Sequence, residues 1–135
     1  RDYTAGIGFD SLYVMTRSTR SIADAIEWHI MLVHVKRIAR SKVQQGICFD
    51  EAVVSAVMEG LSLQREDEKS SPILLFTSFF FCNGRKLSLP LVTDLQLTLQ
   101  RRRDMLAMKH ERKWDEMRQA MDQMVLFEKE KRANL

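Results

Sequence analysis

The chain has 135 residues, of which 45% are hydrophobic and 29% charged, and its 21 basic and 18 acidic side chains leave a net charge of +3. This length fits one domain, and the apolar content with a small net charge argues against intrinsic disorder. Two cysteines and two prolines exclude a disulfide-dense scaffold and a proline-rich linker. No apolar run reaches the roughly 18–20 residues of a membrane-spanning helix.

The clearest element in the first half of the chain is a helix predicted at 21–45. Ser21 followed by Asp24 resembles an N-terminal capping arrangement, and Gly46 supplies a stop at the other end. Three- and four-residue spacing of apolar side chains predicts one face toward the core. The residues of this predicted face are Ile22, Ala25, Ile26, His29, Ile30 and Val33, with Arg37 as a further candidate.

A second helix is predicted at 50–62, with Asp50 as its cap. Its apolar positions are Val53, Val54, Val57, Met58 and Leu61. β-Branched valines lower the intrinsic helix propensity, so packing must hold this helix. The charged and serine-rich segment 65–71 then has the composition of a solvated linker.

Residues 72–91 are compatible with two structures. In one, Pro72 begins a buried helix that Gly84 ends. In the other, Asn83-Gly84 is a two-residue turn between strands at 74–82 and 85–91. A lone hairpin needs a further strand or helix face to lie on, and nothing else in the sequence indicates a third strand. This consideration favours the helix.

The segment from Pro90 to Arg132 contains no glycine and no internal proline, and its apolar residues recur mostly at three- and four-residue spacing. This pattern predicts one amphipathic helix of roughly 42 residues, or about 63 Å at 1.5 Å per residue. A compact domain of this size has a radius of gyration of only about 14 Å. We therefore expect part of the helix to project, to pair with another chain or to fold back at a hidden break.

The predicted fold class is mainly α, a small helical bundle with a long C-terminal amphipathic helix. The alternative is an α+β fold with a hairpin at about 74–91. We expect an N-terminal extension at 1–20, in which Asp10 caps a short helix, and a small helical domain at 21–89. The long helix at 90–135 completes the same unit.

No pattern in the sequence indicates catalysis or a bound cofactor. The histidines are His29, His34 and His110, and the first two lie about 140° apart around a helix, so they do not share a metal ion. His29 and His110 are read as core or interface histidines, and both cysteines, Cys48 and Cys82, as buried reduced thiols, with a single disulfide between them as the alternative. Metal-binding, phosphate-loop and nucleophile-elbow motifs are absent from the sequence. We expect a protein that is not an enzyme, without a metal, cofactor or small-molecule substrate.

Five of the eight methionines fall on the predicted long helix. Methionine adapts to irregular interfaces, and a helix that overruns its own core favours contact with other protein subunits. The predicted protein interface is Leu106, Trp114, Met117, Met121 and Met124.

Basic clusters indicate nucleic acid, RNA in particular, as an alternative partner, because lysine and arginine bind phosphates without reading sequence. The candidate contacts are Lys36, Arg37, Arg40, Lys42, Arg101, Arg102, Arg103 and Lys109. Aromatic residues that would stack on bases are missing from these segments apart from Trp114.

The sequence thus favours a structural subunit of a multi-subunit complex that docks through its C-terminal helix. A component of a ribonucleoprotein complex is the alternative. The first residue is Arg1 and the isoelectric point is about 9.0, so we expect a processed or excised chain of intracellular origin, with the mitochondrion as one candidate compartment.

Overall fold

The computed structural model describes residues 1–63 and 72–134, so the predicted linker at 65–71 lies outside the described residues. Its elements are β1 (Gly6–Phe9), β2 (Leu12–Thr16), α1 (Ile22–Gln44), α2 (Phe49–Ser62), β3 (Leu74–Cys82), β4 (Arg85–Ser88), α3 (Leu95–His110) and α4 (Trp114–Ala133). The strands form one antiparallel sheet in the order β1-β2-β3-β4. The fold is therefore α+β, and the prediction of a mainly α bundle is wrong.

A tight hairpin replaces the helix that the sequence favoured at 72–82. Asn83 and Gly84 connect β3 to β4 with φ values of 51° and 81°. Two successive positive φ angles define a type I′ turn, whose twist matches that of paired strands. Cys82 pairs with Arg85 beside the turn, and Phe79 pairs with Ser88 at the far end of the ladder. The alternative prediction of a hairpin is the correct one.

The strands that support this hairpin come from the segment expected to be an extension with a short helix. Asp10 and Ser11 connect β1 to β2 with φ values of 51° and 67°, so this turn also has two left-handed residues. Leu12 and Val14 of β2 are fully buried. Asp10 therefore lies in a strand connection and caps no helix, and a third and a fourth strand exist. The turn was missed because it contains neither asparagine nor glycine.

The chain divides into two compact units. The N-terminal unit comprises Arg1–Phe9 and Val14–Leu75, and the C-terminal unit comprises Asp10–Tyr13 and Phe76–Leu135. The domain boundaries expected from the sequence, at 1–20, 21–89 and 90–135, stay a prediction.

In the N-terminal unit, α1 and α2 pack closely because Gly60 lacks a side chain. A Cβ at this position would lie 2.5 Å from Cγ2 of Val35, which is fully buried. The rings of Phe9 and Phe49 lie 6.2 Å apart in the same unit. An ion pair of 3.3 Å between Lys42 and Glu59 adds a polar contact between the two helices.

The ends of α1 are encoded locally, as the sequence predicts. The Ser21 hydroxyl accepts a hydrogen bond from the backbone N–H of Asp24 at 3.2 Å. At the other end, Gly46 has a φ of 95°, and the N–H of Ile47 donates to the carbonyl of Lys42. This is a Schellman arrangement, which closes a helix with a left-handed residue. The start of α2 differs from the prediction, since its N-cap is Cys48 rather than Asp50 and no side chain caps it.

In the C-terminal unit, the predicted long helix is broken between α3 and α4. Arg112 adopts a φ of 58°, and its N–H donates to the carbonyl of Lys109 at 3.0 Å. The next N–H, of Lys113, donates to the carbonyl of Met108 at 2.9 Å. These two bonds form a Schellman motif with arginine in the place that glycine usually takes. The prediction of one helix over 90–132 is wrong, and its fold-back alternative describes the chain.

The two helices pack on the β3–β4 hairpin and share one apolar cluster. Its buried members are Phe80, Cys82, Leu87, Leu89, Met105 and Met117. Half-buried side chains complete it: Leu106, Met108, Trp114, Ala120, Met121 and Met124. The broken helix thus covers its own apolar stripe within the unit.

Candidate functional site

Helix α1 buries a different face from the one that the sequence predicted, and the two faces share Ala25. The buried residues of α1 are Ala25, Trp28, Met31, Leu32, Val35 and Ala39. Ile22, Ile26 and Ile30 are 56%, 55% and 56% exposed. We call these three residues the isoleucine row. Their spacing of four residues places them along one side of the helix. A continuous exposed row of this kind is unusual, whereas isolated exposed apolar residues are common.

The prediction failed because α1 carries apolar residues on two sides. Trp28, Leu32, Val35 and Ala39 also recur at three- and four-residue spacing and form a second stripe. Of the predicted face, Ala25 is buried and Val33 half-buried. The stripe that contains the larger Trp28 side chain packs into the core. The isoleucine row is therefore left without a packing partner among the described residues.

The second half of α1 brings three of the predicted phosphate contacts together. Lys36, Arg37 and Arg40 line a cleft of about 530 Å³ in the N-terminal unit, which we call the basic cleft. The remaining lining residues are Ile7, Val33, Ser41 and Gln44. Sequence reasoning missed Ile7 because strand β1 was not predicted. It also passed over Ser41 and Gln44, although each lies four residues after an arginine of the cluster, Arg37 and Arg40 respectively, which was the available signal.

The fourth member of this predicted cluster has a different environment. Lys42 is half-buried and forms the ion pair of 3.3 Å with Glu59 on α2. Its charge is thus matched within the N-terminal unit. Lys36 and Arg37 make no ion pair with any residue in the described ranges 1–63 and 72–134, and Arg37 is exposed.

The arginine run of α3 does not form one basic patch. Arg101 is buried and donates from Nη2 to Oε2 of Glu128 on α4 at 2.9 Å. Arg102 donates from Nε to the backbone carbonyl of Asp10 at 2.9 Å. Arg103 is exposed, and Lys109 is half-buried. Two of these four candidate contacts therefore serve the packing of the C-terminal unit.

The five residues predicted as a protein interface lie in or against the apolar cluster of the C-terminal unit. Met117 is fully buried, and its sulfur lies 3.6 Å from that of Cys82. The other four, Leu106, Trp114, Met121 and Met124, are half-buried and pack against the cluster. The structure brings all five together, with α3, α4 and the hairpin as their immediate surroundings.

Only a few titratable groups among the described residues have shifted pKa values. Burial raises the pKa of the Cys82 thiol, and the nearby charge of Lys109 partly offsets this rise. A side-chain hydrogen bond and charge attraction between Glu111 and Lys113 lower the pKa of the acid and raise that of the base. This pair, 2.8 Å apart, lies in the exposed turn between α3 and α4.

The environments of the histidines and cysteines differ in part from those predicted. All three histidines are exposed, so His29 and His110 are not core residues, and an interface role for them stays a prediction. Cys82 is a buried free thiol as expected, whereas Cys48 is a free thiol on the surface. In residues 1–63 and 72–134, no three His, Cys, Asp or Glu side chains cluster as metal ligands do.

Comparison with known proteins leaves the site to be interpreted from its own geometry. No protein-family model matches the chain, and no curated protein or solved structure is significantly similar to it. Among the described helices, none combines the length and the apolar character that crossing a membrane requires.

Proposed function

We propose that the chain is a non-catalytic interaction subunit of a larger protein assembly, and that the exposed face of α1 is its docking surface. The isoleucine row supports this proposal. Fully burying one isoleucine stabilises a structure by about 1.5–3 kcal/mol. Three isoleucines that are each more than half exposed therefore leave a large apolar contribution unused until a partner covers them.

The charge of the same face specifies the partner. Arg37 lies seven residues after Ile30, so the exposed side of α1 continues from the isoleucine row into the basic cleft. Half-buried Val33 belongs to the cleft and connects the two. A matching protein surface has an apolar strip with acidic side chains at one end. Such complementarity increases the rate of association and selects the orientation of the partner.

Photocrosslinking from defined positions on the intact chain tests this surface. A photoreactive amino acid replaces Ile26 in one sample and Met58 in another, because Met58 is an exposed apolar residue on α2, outside the row. The crosslinked peptides are then identified from native complexes. We expect position 26 to capture a segment of another protein with apolar and acidic residues. Ile26→Lys reduces recovery of that protein at least about tenfold, whereas Met58→Lys does not.

Three results would contradict the docking surface. One is crosslinking from position 58 but not from position 26. Another is a partner whose recovery is unchanged by Ile26→Lys. A third is capture of a second copy of this chain, since the partner we propose is acidic where this face is basic.

Nucleic-acid contact is a second candidate function, and the basic cleft is the observation that favours it. Lys36, Arg37 and Arg40 present three cations within one concave surface, and Ser41 and Gln44 add hydrogen-bonding groups. When phosphates bind such a surface, their condensed counterions are released into solution, and the affinity therefore depends strongly on salt concentration. The partner in this case is single-stranded RNA, whose backbone contacts need no base-specific geometry.

A salt titration of RNA binding separates this candidate from protein docking. The logarithm of the affinity is measured against the logarithm of salt concentration for the intact chain. The double variant Lys36→Gln/Arg37→Gln removes two contacts and should reduce the slope by about 1.4, at about 0.7 per phosphate of a single strand. Lys129→Gln is the control, because it makes the same kind of substitution at an exposed lysine of α4, outside the basic cleft. A flat slope, or equal effects of both variants, rejects RNA binding at the cleft.

A further inference from the structure

A second cleft, of about 430 Å³, lies within the C-terminal unit where the β3–β4 turn meets the first turn of α4. The turn and β4 contribute Asn83 and Arg85, and α4 contributes Trp114, Asp115 and Arg118. Its volume falls in the range of pockets that hold small molecules. It is separate from the basic cleft and shares no residue with it.

Two arginines give this cleft its electrostatic character. Arg85 and Arg118 are exposed, and neither forms an ion pair with a residue in the described parts of the chain. A guanidinium group presents paired N–H donors that match the oxygens of a phosphate or carboxylate. The positive end of the α4 dipole has the same sign, and Lys113 at the N-cap provides no side-chain acceptor for the first N–H groups. These positive features favour an anionic ligand, and the carboxylates of Asp115 and Glu116 in the first turn of α4 offset them in part.

The cleft lining also includes apolar and aromatic side chains. Trp114 is half-buried and packs against the cluster that contains Cys82 and Leu87, so its ring is held in place. These three residues all line the cleft. An indole offers a large planar surface on which a second aromatic ring can stack. A bare anion would leave this wall without a contact.

Asp115 and Asn83 complete the requirements for a ligand. The carboxylate of Asp115 repels an anion but accepts hydrogen bonds from hydroxyl or amino groups, and the amide of Asn83 both donates and accepts. A ligand that satisfies the whole lining has an anionic group, a planar ring and neutral hydrogen-bond donors. We infer that this cleft binds a nucleoside monophosphate, with its phosphate at Arg85 and Arg118 and its base against Trp114.

Tryptophan fluorescence measures this binding directly. The chain has two tryptophans, Trp28 and Trp114, so Trp28→Phe leaves an emission that comes from the cleft alone. This variant is titrated with AMP and UMP, and in parallel with adenosine and inorganic phosphate. We expect a saturable change of emission with the nucleotides. Adenosine and phosphate, which each lack one of the two recognised groups, should bind at least about tenfold more weakly.

Charge-removing variants locate the bound phosphate. Arg85→Gln and Arg118→Gln should each weaken AMP binding at least about tenfold, the loss of one charge-assisted hydrogen bond. Arg132→Gln removes the same charge from an exposed position near the end of α4 and should leave the affinity unchanged. Lys36→Gln in the basic cleft should also have no effect.

Specific results would overturn the inference. They are the absence of saturation with AMP and UMP, equal affinity for phosphate and AMP, or equal affinities of the arginine variants and Arg132→Gln. If Trp28→Phe does not fold, nuclear magnetic resonance on the wild-type chain replaces fluorescence. AMP must then shift the side-chain N–H signals of Trp114 and Asn83, and shifts confined to other residues would equally refute the site.

Discussion

Arg101 on α3 and Glu128 on α4 form an ion pair with 2.9 Å between Nη2 and Oε2, and their side chains are only 8% and 13% exposed. The pair joins the two helices on either side of the Arg112 break. Removing one partner of a buried pair leaves an uncompensated charge, which costs far more than losing a surface pair. The first arginine of the basic run therefore serves the tertiary structure of the C-terminal unit.

Replacing Glu128 by alanine should destabilise the protein by about 3–5 kcal/mol, because Arg101 then stays buried without its counterion. The free energy of unfolding from urea denaturation measures this loss. Glu130→Ala, an exposed acid on the same helix, should change it by less than about 0.5 kcal/mol. The double variant Arg101→Met/Glu128→Leu should be more stable than Glu128→Ala alone. Equal losses for Glu128→Ala and Glu130→Ala would show that the pair does not hold the helices.

Arg112→Gly should stabilise the chain. Arginine at a φ of 58° is strained by roughly 1–2 kcal/mol relative to glycine, and glycine loses about 0.5–1 kcal/mol more in backbone entropy on folding. The expected net gain is about 0.5–1 kcal/mol, measured as a rise in the urea midpoint. Gln100→Gly, at an exposed position inside α3, should instead lower the urea midpoint. A loss of stability with Arg112→Gly would argue for an uninterrupted helix.

Gly60→Ala should destabilise the N-terminal unit although alanine is the better helix former. Alanine gains about 1 kcal/mol in helix propensity, but overpacking against the buried Val35 costs about 1–3 kcal/mol. The expected net loss reaches about 2 kcal/mol in thermal or urea unfolding. Val35→Ala in the same chain removes the clashing methyl group. The double variant should therefore be more stable than the sum of the single effects predicts, and simple additivity would contradict close packing at this contact.

Cys82 should make stability depend on pH in the alkaline range. Burial raises the pKa of its thiol above the ordinary value of 9.0, so the folded state favours the protonated form. The stabilisation that results from this preference is fully present below pH 9.0 and is lost as the pH rises toward the higher pKa of the folded state. Between pH 9.0 and that higher pKa, the free energy of unfolding should fall more steeply in the wild type than in Cys82→Ala.

The exposed thiol provides the matched control. In the native chain, a thiol reagent should modify Cys48 rapidly and Cys82 only slowly, since reaction requires an accessible thiolate. Equal slopes in wild type and Cys82→Ala would refute the role of Cys82 burial, as would equal labelling rates.

Local signals account for the elements that the sequence predicted correctly. The cap at Ser21, the left-handed Gly46 and the Asn83-Gly84 turn each depend on a few neighbouring residues, and each has the geometry that its residue types favour. The basic cleft was foreseen in part, because Lys36, Arg37 and Arg40 lie close together on one helix. The breaks at Asp10-Ser11 and at Arg112 carry no glycine, so their left-handed residues gave no signal in the sequence.

The sequence by itself determined the extent of α1, the possibility of a type I′ hairpin and the position of the positive charges along the chain, since these depend on contacts between near neighbours. Only the tertiary structure decided which of two apolar faces of α1 is buried, and that α3 and α4 fold against the same apolar cluster. Such choices depend on distant residues, among them the Val35–Gly60 contact and the Arg101–Glu128 pair. The isoleucine row is exposed for the same reason: packing of the Trp28 face excluded it from the core.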